Sequence, residues 1–310
     1  MTAATERILV IRLGALGDIV LCFQAFHEIR QAHPKAEIAF LTTSGFVNFA
    51  RSMPWFNRVL VDPRPSKWRP GAWFRFAQEV RNFGPTRVYD LQGKRRQSVL
   101  YAFLGGPLGP TWSGAAPFCS HPRLWPPKPG MHFIDFLAAQ LRLAGVAEAA
   151  PADLTWLDAP HALNLPARYA VLIPGCSQGQ EHKRWPARNY AHLAQKLQER
   201  GIGSVVIGTH QDAEAIAALK AVASNVVDIS GQTSLAQLAG ILRRSSFVVG
   251  NDTGPTHLAA TVGTPALFLL SNHTDPAWSA SRKPSDRWLR QEPLHTLQLE
   301  TVLEALSPFM

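Results

Sequence analysis

The chain has 310 residues, 46% of them apolar, and a formal net charge of +9. That length and apolar share allow two domains with sizeable cores and exclude a disordered chain. Three widely spaced cysteines (Cys22, Cys119 and Cys176) exclude a disulfide framework and give no zinc spacing, which favours a reducing cytosol.

The charge is uneven. Residues 1–160 carry 18 Lys+Arg against 11 Asp+Glu, a net of +7, and residues 161–310 carry 13 against 11, a net of +2. The basic half is expected to meet an anionic partner. No apolar run reaches the roughly 18 residues needed to span a bilayer. The opening Met-Thr-Ala-Ala-Thr-Glu-Arg has no secretory pattern, so a cytoplasmic location is expected.

In chain order, Arg7 to Arg12 reads as a short buried parallel strand. Leu13-Gly-Ala-Leu-Gly-Asp18 turns the chain into a helix running to about Ala32, with Ile19, Val20, Phe23, Phe26 and Ile29 at helical spacing. Strands follow at 36–42, 59–62 and 87–90, with a helix over about 71–83. Asp90-Leu-Gln-Gly-Lys-Arg-Arg-Gln-Ser98 leaves the fourth strand. Gly- and Pro-rich segments from 105 to 129 read as loops, and a helix over about 132–144 closes a first domain, residues 1–160. The alternation restarts with a strand over 169–174, so residues 161–310 form a second domain. It has helices at 186–200, after Gly208, at 234–243 and at about 297–306. Its strands lie at 203–207, 226–228, 246–249 and 265–270, the last of them taken as the final core strand. The last helix is expected to pack back on the first domain. Strand and helix alternate throughout, which predicts an α/β chain of two Rossmann-like, doubly wound domains. Ligands of such sheets collect at the carboxyl ends of strands, here expected in a cleft between the domains.

Gly250-Asn-Asp-Thr-Gly-Pro-Thr-His257 joins a strand to a helix through a tight polar turn. A helix start offers unpaired N–H groups and a positive dipole end, which suit a phosphate. Asp252 and Thr253 either cap that helix or touch a ligand, and His257 serves either ligand contact or helix packing. Lys183 is placed to neutralise a phosphate and Glu214 to accept from ribose hydroxyls; as surface charges they would be unremarked. Asp18 either complements its helix dipole or acts as a general base. Lys94, Arg95 and Arg96 are either a solvated run or an anion site. No Gly-x-Gly-x-x-Gly or Walker loop stands where it is useful, and His, Asp and Glu do not fall at metal-ligand spacing. His182 reads as loop surface.

Taken together these segments resemble glycosyltransferase family 9, the ADP-heptose:lipopolysaccharide heptosyltransferases. Ile8-Leu-Val-Ile-Arg-Leu-Gly-Ala-Leu-Gly-Asp18 resembles its N-terminal signature, and Asp90-Leu-Gln-Gly93 with Ser98 its Asp-x-Gln-Gly segment. Pro174-Gly-Cys-Ser, Lys183-Arg-Trp-Pro186 and Asp252-Thr-Gly-Pro-Thr-His257 resemble its C-terminal motifs in order. The resemblance implies a GT-B fold and metal-independent, inverting transfer of a heptose from an ADP-activated sugar, with no cofactor, to the anionic lipopolysaccharide inner core. It implies Asp18 as base and Lys183, Glu214, Asp252, Thr253, Gly254 and His257 around the nucleotide sugar. It also implies Gly17, Gln92, Lys94, Arg95 and Arg96 toward the acceptor. Basic residues within 51–96 are expected to touch the inner face of the plasma membrane, making the enzyme peripheral there. An epimerase or other sugar transferase on the same fold, without this acceptor, remains an alternative. A basic nucleic-acid-binding protein lacks any recognition motif, and no nucleic-acid partner is expected.

Overall fold

The computed structural model describes residues 6–66, 68–176 and 179–310. Ser177 of the quoted Pro174–Ser177 motif, and Lys67 of the basic 51–96 stretch, lie outside the described residues.

The first unit begins with β1 (Arg7–Ile11), α1 (Leu16–Val20), α2 (Phe23–Ala32), β2 (Glu37–Thr42), α3 (Val47–Ser52) and β3 (Arg58–Val61). It continues with α4 (Pro70–Phe83), β4 (Arg87–Asp90), α5 (Arg95–Phe103), β5 (Thr111–Gly114), β6 (His121–Pro122) and α6 (Phe133–Leu143). All neighbouring strands pair in parallel, in the order β3-β2-β1-β4-β5-β6. The central strand β1 is an apolar run because helices cover both its faces: Ile8, Leu9, Val10 and Ile11 are fully buried. Leu9 and Ile11 meet Trp73, Phe76 and Val80 of α4, whose apolar positions fall on one helical stripe. On α2, the ring of Phe26 lies 5.1 Å from Phe40 of β2.

The second unit repeats the plan. It runs β7 (Tyr169–Ile173), α7 (Ala187–Gln198), β8 (Gly203–Val206), α8 (Ala213–Val222), β9 (Val227–Asp228) and α9 (Leu235–Arg244). Then come β10 (Phe247–Asn251), α10 (Gly254–Thr261), β11 (Ala266–Leu270), α11 (Pro276–Ser279), β12 (Arg287–Arg290) and α12 (Leu299–Leu306). The strand order is β12-β11-β10-β7-β8-β9. Both sheets therefore have the doubly wound order 3-2-1-4-5-6, which reverses direction between β1 and β4 in one and between β7 and β10 in the other. That reversal opens a crevice at the strand carboxyl ends, where such sheets bind ligands.

Several expectations change. The single helix to Ala32 is two, broken at Leu21–Cys22. The stretch 105–129 contains the strands β5 and β6, and β12 pairs beside β11, so β11 is not the last strand. Contacts divide the chain between Asp153 and Leu154 rather than near residue 160. The reason is α9: Arg243 donates to the carbonyls of Leu154 (3.0 Å) and Leu157 (3.1 Å), and Arg244 pairs with Asp158 at 3.0 Å. Val302 and Leu306 of the last helix are buried in the second unit's own core. No helix of the described residues is long and apolar enough to cross a membrane.

Candidate active site

In the first unit, the loops after β1 and β4 flank the crevice and are bound to one another. Leu91 N–H donates to Ile11 O at 3.1 Å, and Leu13 N–H to Gln92 Oε1 at 2.9 Å. Arg12, buried, donates through Nη1 to Leu91 O at 2.6 Å and holds Asp18 Oδ1 at 2.9 Å through Nη2. Asp18 Oδ2 accepts from Ala15 N–H at 3.1 Å. The carboxylate is thus fixed from below, while its side chain keeps 45% of its surface exposed. Gly14 gives this loop its path: its φ is +120°, and a Cβ there would lie 2.6 Å from the Phe46 ring. Gly17 is buried within α1.

Asp90, at the end of β4, organises the other loop. Its Oδ1 accepts from Gln92 N–H (3.1 Å) and Gly93 N–H (2.8 Å), while Oδ2 has no partner among the described residues. Gly93 has φ +57°, and a Cβ there would lie 1.8 Å from Arg123 Nη1. Burial pushes the Asp90 carboxyl up to about 6, against the Gly93 hydrogen bond and the charges of Arg123 and Arg12. A raised carboxyl binds its proton more tightly in the folded chain than in the unfolded one. Its contribution to stability is therefore full below about pH 4 and falls as pH rises through about 6. We expect Asp90→Asn to flatten this part of the stability–pH curve and to gain about 1–3 kcal/mol at pH 7. Urea denaturation of both proteins from pH 4 to 8 checks it; parallel curves would show that the group carries no such linkage.

The three basic residues after Gly93 separate. Lys94 and Arg95 are exposed at the start of α5. Arg96 turns the other way: Nε donates to buried Asp62 at 2.8 Å, and its guanidinium lies 4.5 Å from the Trp73 ring centre. Arg96 is thus engaged within the unit, and Gln92 accepts through Oε1 from the Leu13 backbone.

In the second unit, Asn251 closes β10 and is fully buried. Its Oδ1 accepts from Trp185 N–H (3.0 Å) and the Tyr190 hydroxyl (3.1 Å), and its Nδ2 donates to the carbonyls of Pro174 (2.9 Å) and Gly175 (3.1 Å). All four hydrogen bonds available to the amide are made, tying the loop after β7 to the end of β10. Asp252 follows as a hub. Its Oδ2 receives Lys183 Nζ and the Thr274 hydroxyl, both at 2.7 Å, and Oδ1 lies 3.0 Å from His257 Nε2. Burial opposes ionisation of this carboxyl, but His257 and then Lys183, by hydrogen bond and charge, outweigh it and hold it well below the usual carboxylate range. Thr253 is the N-cap of α10 with extended backbone and no side-chain cap, so the N–H groups of Gly254 and Thr256 have no partner within the helix.

Five of the six residues expected around the nucleotide therefore gather here: Lys183, Asp252, Thr253, Gly254 and His257. Glu214 does not join them; it stands exposed in the first turn of α8. The carboxylate built into that turn is Asp212, which accepts from Thr209 N–H at 2.9 Å and pairs with Arg184 at 3.3 Å. Thr209-x-x-Asp212 is a capping box, the one local signal that could have found it. Thr274, Arg12 and His273 also escaped notice. The His273 ring lies 4.2 Å from that of His182, next in chain to Thr274 and Lys183 respectively. Among the described residues no group of three or more His, Cys, Asp or Glu side chains is placed to hold a metal ion.

A buried, cation-paired hub beside a helix start in one unit and a half-exposed, arginine-held carboxylate in the other suit phosphate binding and proton removal. Comparison with known proteins shows the family to which the chain belongs. Residues 73–303, 231 of the 310, match glycosyltransferase family 9 (heptosyltransferase). The chain belongs to that family. It is a glycosyltransferase, and its two doubly wound units make the GT-B fold expected from the sequence. A curated relative, lipopolysaccharide heptosyltransferase 1 of Pseudomonas aeruginosa, is 26% identical over 293 residues, covering 89% of this chain and 81% of its own. The structure of the E. coli heptosyltransferase WaaC with ADP aligns with a TM-score of 0.76 at 20% identity, covering 98% of this chain and 100% of that one. A family 9 glycosyltransferase from Veillonella parvula aligns with a TM-score of 0.82 at 20% identity, covering 100% and 98%.

Proposed function

We propose that the enzyme transfers a heptose from an ADP-activated donor to a hydroxyl of the anionic lipopolysaccharide inner core, with inversion and without a metal ion. The observation that carries this reading is Asp18: a carboxylate fixed by Arg12 and Ala15 N–H yet half open to solvent, in a family 9 chain. Asp18 takes the proton of the acceptor hydroxyl as its oxygen bonds to the anomeric carbon. The bond from that carbon to the diphosphate breaks on the opposite face, and ADP leaves. Lys183 spends one of its three N–H donors on Asp252, which leaves two for the diphosphate. Those donors and the start of α10 stabilise the charge that grows on the leaving group, the task a metal would otherwise perform. Lys94 and Arg95 receive the acceptor's anionic groups. In this reading the reaction takes place at the cytoplasmic face of the inner membrane, where a lipid-anchored acceptor is reached peripherally.

Calorimetric titration with ADP, UDP and GDP in the presence of chelator tests the donor. ADP is expected to bind at least about tenfold more tightly than the other two, a difference of about 1.4 kcal/mol, and transfer to a truncated core is expected to proceed unchanged in chelator. Preference for UDP or GDP would move the donor to another sugar; activity lost in chelator and restored by one metal would end the metal-free reading.

A further inference from the structure

From Leu91 to Ile134 the sequence contains no Asp or Glu, yet it contains Lys94, Arg95, Arg96, Arg123 and Lys128. Three parts of this stretch leave the carboxyl edge of the first sheet: the turn before α5, the loop after β5 and the loop after β6. The loop carrying Asp18 leaves the same edge, because all six strands are parallel.

The surface there is apolar with a basic border. Phe118 is 90% exposed, Trp125 67% and Leu124 55%. Phe118 and Trp125, with Arg95, Val99, Phe103 and Arg123, line an open cavity of about 850 Å³. Exposed Lys94 and Arg95 line it too, and Lys128 is exposed on the loop after β6 that carries Leu124 and Trp125. Phe118 is held outward at a cost. Its φ is +59°, a left-handed conformation unfavourable for a bulky residue, and the Tyr101 hydroxyl fixes it by donating to its carbonyl at 3.0 Å. Arg123 lies 5.1 Å from the Trp125 ring centre and donates to Gly93 O at 2.8 Å, which ties the aromatic to the loop organised by Asp90. Neither the strain at Phe118 nor the exposure of three large apolar side chains serves the core of this unit.

We infer that Phe118, Leu124 and Trp125, with Lys94 and Arg95 beside them and Lys128 on the loop after β6, dock the enzyme on an anionic lipid bilayer. The apolar tips enter the boundary between headgroups and acyl chains, Lys128 meets lipid phosphates, and Lys94 and Arg95 meet the anionic groups of the lipid-anchored acceptor in that same surface. The inference rests on the proposed use of a lipid-anchored acceptor and gives the membrane contact its address. Of the basic residues within 51–96 it draws on Lys94 and Arg95, whereas Arg58 and Arg96 are already paired with Glu37 and Asp62.

The test is co-sedimentation of the full chain with vesicles of phosphatidylcholine alone or with about a third phosphatidylglycerol, a fraction that sets the anionic surface potential. Wild type is expected on anionic vesicles, with weaker binding to neutral ones. Phe118→Gly combined with Leu124→Ser is expected to lower anionic-vesicle binding at least about tenfold. Glycine suits the left-handed φ at 118, so this variant keeps its melting temperature, its ADP affinity and its transfer to a soluble, deacylated core. Wild type that ignores anionic vesicles, or a variant that binds them as well as wild type, overturns the inference. So does a wild-type dimer in light scattering that the variant dissolves, since the patch would then join two copies of this chain. Loss of ADP binding by both proteins would instead strike the proposed function and leave the vesicle result standing.

Discussion

Asp18→Asn is expected to reduce heptosyl transfer by about 10²–10⁴-fold, the usual worth of a positioned general base, while ADP affinity stays within about twofold, under 0.5 kcal/mol. The asparagine oxygen still accepts from Ala15 N–H, and Arg12 still donates to Leu91 O. What is lost is a group that can take a proton. Arg12→Met is the companion variant. It leaves Asp18 chemically intact but unheld, so transfer falls by less than in Asp18→Asn, where no group can take the proton. Single-turnover kinetics with saturating donor, with calorimetry for ADP, reads both. Near-normal transfer by Asp18→Asn would remove Asp18 from the chemistry.

The second large effect belongs to Asp252. Asp252→Ala is expected to weaken ADP binding by about 10²-fold and to destabilise the second unit by about 3–5 kcal/mol, since removing one partner strands a largely buried cation. Lys183 loses its 2.7 Å partner, and His257 and Thr274 lose theirs. Lys183→Ala separates the two consequences. It removes the ammonium but leaves Asp252 bonded to His257 and Thr274, so ADP affinity falls about tenfold or more with a smaller loss of stability. Because the Asp252 carboxyl is held low, its contribution to stability is fully present above about pH 4 and is lost as pH falls below that. Asp90 has the opposite sign, so the two carboxyls pull the stability curve in opposite directions across the acid range. ADP binding by Asp252→Ala within twofold of wild type would show that the hub does not position Lys183.

The strands that read correctly from sequence are those whose signal is local. Arg7–Ile11, Tyr169–Ile173 and Ala266–Leu270 are short apolar runs, and a central parallel strand must be apolar on both faces. Helix α4 was legible because Trp73, Phe76, Ala77 and Val80 fall on one stripe. Helix α5 was not: Gln97 is one of its three buried positions, so its apolar stripe is incomplete, and its start looks like a charge run. Strand β5, Thr-Trp-Ser-Gly, is masked by the glycines and prolines around it, and β12, Arg-Trp-Leu-Arg, carries the charges an edge strand uses to resist pairing.

The site divides along the same line. The sequence by itself determined two doubly wound units, the turn from Gly250 to His257, the carboxylate at Asp18 and the lysine at 183, since each sits beside a strand end or helix start that local pattern reveals. Only the tertiary structure decided what those groups touch. Arg12 reaches Leu91, 79 residues away; Asn251 reaches Trp185, 66 residues away; Lys183 finds Asp252 across 69 residues. It also paired Arg96 with Asp62, left Glu214 exposed and tied Asp212 into the turn before α8. Such partnerships cross the point where each sheet reverses direction, so they are set by strand order rather than by spacing along the chain. A period in the sequence records which face of an element is buried; it holds no record of which distant loop will arrive beside it.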